Sequence, residues 1–219
     1  MFFENIDCMQ GMKSMADNSV DLTLTDIPYN ACNEEVCGKQ NGLRSYDKGV
    51  ADVLTFDILD FLSEVYRVTK STIIIFCGWE QLGDFYKWLR DKDGTARTLV
   101  WEKVNPSVMN GKVVYLSGIE GALWFKKRGG TFNAKCKNTV FRYPLGSSEM
   151  HPTKKNHALL AELIADNSNE GDLVFDPCAG SGSTLLVARK GLRRIKGFEL
   201  HKPFYDKALA RLNQNASMF

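Results

Sequence analysis

Several things are scarce or missing in this 219-residue chain, and each absence removes a class of function. Its six cysteines, at 8, 32, 37, 77, 136 and 178, form no CxxC pair. Zinc needs thiols or imidazoles clustered at fixed spacing. The closest pair, Cys32 and Cys37, has no second pair and no histidine beside it, so no metal is expected. The opening Met1-Phe2-Phe3-Glu4-Asn5 lacks the charged start and long apolar run of a secretory leader. No segment has the uninterrupted apolar length that a bilayer span requires. The expected compartment is the cytoplasm, with reduced thiols and no membrane partner. An excess of one charge is missing too: 28 Lys and Arg against 26 Asp and Glu leave a formal +2. Any contact with a polyanion has to arise from where charges sit, not from their total.

What is present is an alternation of strand-like and helix-like segments, the pattern of a mostly parallel α/β sheet. The length suits one domain, or one with an insertion. Strands are expected at 1–6, 22–26, 71–78, 98–104, 120–126, 173–176 and 195–199, and helices at 8–16, 51–69, 79–90, 156–166, 183–189 and 203–212. Leu54, Ile58, Leu62, Val65 and Tyr66 recur at helical spacing, and Ser71 to Gly78 reads as a buried strand from its β-branched run. Leu22 to Thr25 alternates apolar and polar, which predicts a strand with one buried face. Residues 31–50 are polar, carry glycine and read as a mobile loop. Residues 126–150 lose apolar periodicity and hold six cations, with no acid before Glu149. There is no internal repeat and no low-complexity tract.

Two stretches carry chemistry. The strand ending at Asp26 runs into Ile27-Pro28-Tyr29-Asn30; proline accounts for a turn there but not for the tyrosine. Leu173 to Thr184 (LVFDPCAGSGST) reads as strand, glycine-rich turn and helix start. Gly180 and Gly182 permit positive φ and close approach to a ligand, and Ser183 or Thr184 can cap the helix, whose amino end favours electron-rich groups. The turn is not a full dinucleotide fingerprint, since Leu185 stands where a third glycine belongs, and no Gly-Lys-Ser/Thr follows as in a Walker loop. Glu199 ends the next strand, where a carboxylate commonly accepts ribose hydroxyls. Turn and acid together point to an adenosine-containing ligand, with a plain βα connection as the alternative.

Asp26-Ile27-Pro28-Tyr29 resembles the (D/N/S)PP(Y/F) motif of DNA amino-methyltransferases, and Phe175-Asp176-Pro177-Cys178-Ala179-Gly180-Ser181-Gly182-Ser183-Thr184 resembles their cofactor motif. The catalytic motif comes first and the cofactor motif near the carboxyl end, the order of the β class. Between them, His151-Pro152-Thr153-Lys154-Lys155 is similar to the family's HPTQKP box, and Asn5-Ile6-Asp7-Cys8 resembles the segment that carries a further cofactor acid. Phe61 to Ile75 and Leu99 to Val104 match the helix and strands that follow the catalytic loop. Four positions depart from the pattern: Ile27 for the first proline of DPPY, Cys178 for phenylalanine, Lys154 for glutamine and Asn156 for proline.

The resemblance implies a circularly permuted Rossmann-like methyltransferase sheet, mostly parallel with an antiparallel strand near one edge. Residues 1–125 form its catalytic half, 126–150 a short basic target-recognition insertion, and 151–219 the cofactor half. It implies S-adenosylmethionine as cofactor and double-stranded DNA as partner, with a second copy of the chain the other candidate, in a bacterial or phage setting. Asp26 and the Ile27 carbonyl would each accept one hydrogen of a target amine, Tyr29 would stack on the flipped base, and Pro28 would shape the loop. Phe175, Asp176, Gly180 and Gly182 would line the cofactor's methionine side, with Cys178 and Ser183 in the same turn and Asp26 beside the reacting group. Glu199 would hold the ribose, Asp7 the adenine amine, and His151 with Thr153 the carboxylate end.

Lys126, Lys127, Arg128, Lys135, Lys137 and Arg142, with Phe132, Phe141 and Tyr143 between them, are the candidates for holding DNA, against the alternative of a solvated basic loop. The aspartate at the head of DIPY favours adenine-N6 over cytosine-N4, whose enzymes more often begin with serine. Pro177-Cys178 resembles the nucleophilic pair of carbon-5 methyltransferases, but its place inside the glycine turn assigns Cys178 to packing or cofactor contact. Each residue also has a plainer reading: Asp26 as a turn cap, Tyr29 as a half-buried core aromatic, His151 as a surface histidine, Asp7 as a turn acid. A catalytically inactive DNA-binding protein of the same fold is the rival from another class.

Overall fold

Ile73, Ile74, Ile75 and Phe76 are consecutive, and none is more than 2 % exposed. Successive side chains of a strand point to opposite faces, so such a run requires apolar layers on both sides of the sheet. The computed structural model describes residues 2–29, 53–108, 111–112, 114–145 and 155–214. The loop expected at 31–50, together with His151 and Thr153, lies outside the described residues.

The elements run β1 (Phe2–Glu4), α1 (Cys8–Lys13), β2 (Val20–Asp26), α2 (Ile58–Val68), β3 (Thr69–Phe76), α3 (Trp79–Leu89), β4 (Gly94–Lys103), β5 (Ile119–Lys127), β6 (Val140–Tyr143), α4 (His157–Asn167), β7 (Leu173–Asp176), α5 (Ser183–Lys190), β8 (Arg194–Phe198) and α6 (Lys202–Gln214). The strands form one sheet in the order β1-β8-β7-β2-β3-β5-β4-β6. Every neighbouring pair is parallel except β3 with β5 and β5 with β4, so β5 alone runs against the rest. This is the Rossmann-like methyltransferase sheet expected from the motif order.

Two apolar layers sandwich the sheet. Ile74, Phe76, Ala122 and Trp124 face α4, α5 and α6 through Leu160, Leu163, Leu186 and Leu212. Ile73, Ile75, Leu123 and Phe125 face α1, α2 and α3 through Met12, Phe61, Val65 and Phe85. The odd and even positions of β3 and β5 thus divide cleanly between the layers.

Three local readings are corrected. Leu22 to Thr25 is buried on both faces, not one. The threonine side is tolerated because its hydroxyls are used: Thr23 pairs with Thr69 at 2.6 Å and Thr25 donates to Asp176 at 2.7 Å. The helix expected from residue 51 begins only at Ile58, because Asp57 caps it by accepting from the Leu59 and Asp60 amides. The basic stretch is not without regular structure: Val140–Tyr143 adds parallel to β4 as the edge strand. A four-residue edge strand with alternating exposure leaves too short a period to read in sequence.

Candidate active site

β2 and β7 lie side by side, Leu22 opposite Val174 and Thr23 opposite Phe175. The chain leaves them in opposite directions, from β2 to β3 on one side and from β7 to β8 on the other. Such a switch in strand order opens a crevice at the carboxyl ends of the strands, where open α/β sheets bind ligands. Asp26 ends β2 and Asp176 ends β7, so both chemistry-bearing stretches meet at this crevice.

On the β7 side, Asp176 is 3 % exposed and accepts from Thr25 Oγ1 at 2.7 Å and from the Cys178 amide at 3.2 Å. Burial pushes its carboxyl up to about 7, against the opposing hydrogen bonds of Thr25, Thr184 and Cys178. Gly180 and Gly182 take φ of +50° and +71°. A Cβ on Gly182 would come within 3.1 Å of Ala208 on α6, whereas one on Gly180 would meet nothing within 4 Å. Gly182 packs the turn against α6, and Gly180 leaves open space over the turn. Glu199 is 7 % exposed; its Oε2 accepts from the Gly180 amide and its Oε1 from the His201 amide, both at 2.8 Å. Each oxygen retains a further lone pair for a ligand hydroxyl.

The other residues of the cofactor set are spread more widely. Phe175 is fully buried against Phe198, with rings edge-to-face at 5.3 Å, and works as core. Asp7 caps α1, accepting from the Gln10 amide at 3.0 Å. The Cys178 thiol is hydrogen-bonded with Cys8, which together with burial holds it well above the ordinary thiol range. Ser183 is buried within reach of Arg211, whose guanidinium also contacts the Ser181 carbonyl at 3.2 Å.

On the β2 side, the Ile27 amide donates to the Phe76 carbonyl at 3.2 Å, and its side chain is 2 % exposed in the layer under α1–α3. Proline could make neither the bond nor the same packing, which accounts for isoleucine at that position. Gln81 fixes the following residue, donating to the Pro28 carbonyl at 2.9 Å while accepting from the Gly78 amide at 2.8 Å. The Tyr29 hydroxyl donates to Asp26 Oδ1 at 2.9 Å.

Three charged residues outside the expected set of site residues complete this side. Lys155 Nζ lies 3.1 Å from Asp26 Oδ2, 2.9 Å from the Tyr29 oxygen and 2.5 Å from Glu120 Oε2. The other Glu120 oxygen takes Lys103 at 2.8 Å. Burial disfavours the charge of Glu120, but Lys155 and Lys103 outweigh it and hold the carboxyl at about 2. Burial likewise opposes the Lys155 ammonium, and Asp26 and Glu120 reverse that and raise it. Burial pushes Asp26 itself above the ordinary carboxylate range, with Lys155 pulling the other way. The HPTKK box was a local signal for Lys155; nothing local in the sequence marks Glu120 or Lys103.

The basic stretch folds back on its own chain. Lys127 donates to the Tyr66 carbonyl at 2.7 Å, and Arg128 pairs with Asp93 at 3.0 Å. Lys137 pairs with Glu162 and Asp166, and Arg142 with Glu102. Lys135 is exposed. Lys126 lies six residues beyond Glu120 on β5, roughly 20 Å by strand rise, toward the opposite end of the sheet from Asp26. Of the interleaved aromatics, Phe141 is buried, Tyr143 donates to Glu162, and Phe132 packs edge-on against Trp124. Between β4 and β5, Val104, Val108 and Tyr115 are exposed, as is Ile119 at the start of β5.

Residues 124–210 match the DNA methylase family. Over 97 % of its length the chain is 28 % identical to the type II methyltransferase M.HpaI of Haemophilus parainfluenzae, covering 74 % of that protein. The solved complex of M1.HpyAVI with SAM superposes with a TM-score of 0.71 at 23 % identity, covering 96 % of this chain and 98 % of that one. The cytosine-N4-specific PvuII DNA methyltransferase gives a TM-score of 0.74 at 15 % identity, with 95 % and 85 % covered. At these identities the two structures are similar in fold.

Proposed function

We propose that the chain is a member of the N6/N4 family of DNA amino-methyltransferases and that it methylates the exocyclic N6 amine of an adenine flipped out of duplex DNA. The observation that carries this reading is the adjacency of β2 and β7, which sets the Asp26–Tyr29 corner beside the Gly180–Gly182 turn. S-adenosylmethionine suits the turn side: Glu199 is a buried carboxylate with lone pairs to spare for ribose hydroxyls, and the space over Gly180 is open. That cofactor supplies a methyl group already activated on a sulfonium, so the chain's own task is to prepare the nitrogen.

An exocyclic amine is a poor nucleophile because its lone pair is shared with the ring. Asp26 accepts one amine hydrogen. The Pro28 carbonyl is taken by Gln81, so the Ile27 carbonyl is the second acceptor we assign. Two acceptors on one side favour a pyramidal nitrogen with its lone pair directed away from them. Tyr29 offers its ring face to the base, and the buried partners of both residues limit the motion that alignment must overcome. Duplex contact we assign to exposed side chains between β4 and β5, Val108 and Tyr115 among them, because β4 runs toward the end of the sheet where Asp26 lies, in preference to cations already paired elsewhere.

Cytosine-N4 methylation is the second reading, favoured by the fold shared with the PvuII enzyme. Digesting treated duplex DNA to nucleosides and weighing them by mass spectrometry separates the two. N6-methyladenine is the expected product, and N4-methylcytosine alone would sink the adenine assignment.

A further inference from the structure

We propose that Lys155, braced by Glu120, is a positioning residue that holds Asp26 as a carboxylate aimed into the crevice. The inference rests on the transferase reading above but concerns side chains that this reading leaves without a role. An ammonium has three hydrogens to donate, and here three oxygens from three side chains receive them: Asp26 and Tyr29 from the β2 corner and Glu120 from β5. The lysine side chain is only 10 % exposed. Its Nζ stands 4.6 Å from the Phe76 ring centre, 5.4 Å from that of Tyr29 and 5.8 Å from that of Trp101, so aromatic faces wall it in. Asn156, where the family pattern has proline, anchors the lysine's backbone. It caps α4 by accepting from the Ala158 and Leu159 amides, and its own amide donates to the Pro144 carbonyl.

The arrangement is a chain of alternating charge, Asp26, Lys155, Glu120 and Lys103, that sums to zero inside the protein. Its weak link is Asp26. A protonated carboxyl would present a hydrogen to the amine in place of an acceptor, so the reaction needs the anion. Burial works against that anion, and so does the Glu120 carboxylate from β5; the buried Asp176 carboxyl from β7 and the Cys77 thiol, pushed by burial to about 12, bring no positive charge, and the Tyr29 hydroxyl helps only as a neutral donor to Oδ1. Lys155 is the one cation in contact with Asp26 among the described residues. Remove it, and two carboxylates face each other across the Tyr29 hydroxyl, which lies 2.9 Å from one and 3.4 Å from the other. Like charges so placed cannot both stay ionised. Lys155 is no general base, because the same neighbours keep it protonated.

The test is the pH dependence of methyl transfer in wild type, Lys155→Met, Lys155→Arg and Glu120→Gln, alongside 13C NMR titration of the Asp26 carboxyl in the free proteins. Lys155→Met should move the acidic limb and the Asp26 titration up by about one pH unit or more. Lys155→Arg should leave the limb near wild type. Glu120→Gln should move it down, because one negative charge facing Asp26 is gone while the lysine stays. A merely structural lysine would lower the rate without moving the limb in opposite directions. An Asp26 titration unchanged in Lys155→Met, or raised in Glu120→Gln, overturns the proposal. Wild type that transfers no methyl to DNA would instead overturn the transferase reading, while the NMR titration still decides the role of Lys155.

Discussion

The phenol of Tyr29 donates to Oδ1 of Asp26 at 2.9 Å, so the two side chains assigned to one target base are tied together before any base arrives. If the ring face is what the base uses, the hydroxyl is dispensable and the ring is not. Tyr29→Phe should stay within about threefold of wild-type kcat/KM, while Tyr29→Ala should lose about 5- to 150-fold, the range that 1–3 kcal/mol of stacking implies. Steady-state kinetics on duplex DNA checks both. Equal losses in the two variants would assign the effect to the hydroxyl bond.

Glu199 joins the turn to the crevice through the Gly180 amide, and its side chain lies beside the proposed ribose position. Hydrogen bonds to a charged group are worth about 1.5–3 kcal/mol. Glu199→Ala should weaken S-adenosylmethionine binding by about 10- to 150-fold in calorimetry. Glu199→Gln, which keeps one acceptor, should fall between that and wild type.

Asp176 makes the stability of the protein depend on pH. Its folded carboxyl sits up at about 7 through burial, above its ordinary value of 3.8, so between those values the folded state binds more protons than the unfolded one. Its contribution is therefore fully present below about pH 4 and is lost as pH rises through about 7. Asp176→Asn carries no titrating proton and should remove that part of the slope. Denaturant midpoints for both proteins across this range provide the check, and identical slopes would contradict it.

Ile27 is the departure from the family pattern that the structure explains most directly. Its amide donates to Phe76 and its side chain fills the layer under α1–α3. Ile27→Pro restores the family's residue and should nonetheless destabilise the protein, by about 1–3 kcal/mol, through the lost bond and packing. Thermal unfolding reads this out, and a raised Tm would contradict the assignment.

The layered sheet was legible because its strands are apolar runs between amphipathic helices, and the crevice because each of its walls carries a short motif ending a strand. What escaped was long-range. β6 is four residues with one buried side chain, and only pairing with β4 makes it a strand. The cations of 126–142 look unopposed along the chain, since their partners Asp93, Glu102, Glu162 and Asp166 come from other elements. Glu120 is silent for the same reason: its place beside Lys155 is set by β5 running antiparallel to β3.

The central claim is that Asp26 prepares a DNA amine for methyl transfer at the β2–β7 crevice. It is tested most directly by transfer of labelled methyl from S-adenosylmethionine to duplex DNA, comparing wild type with Asp26→Ala at matched folded concentration. Wild type should label DNA, and Asp26→Ala should be slower by at least about a hundredfold. Equal labelling by the two proteins would contradict the account.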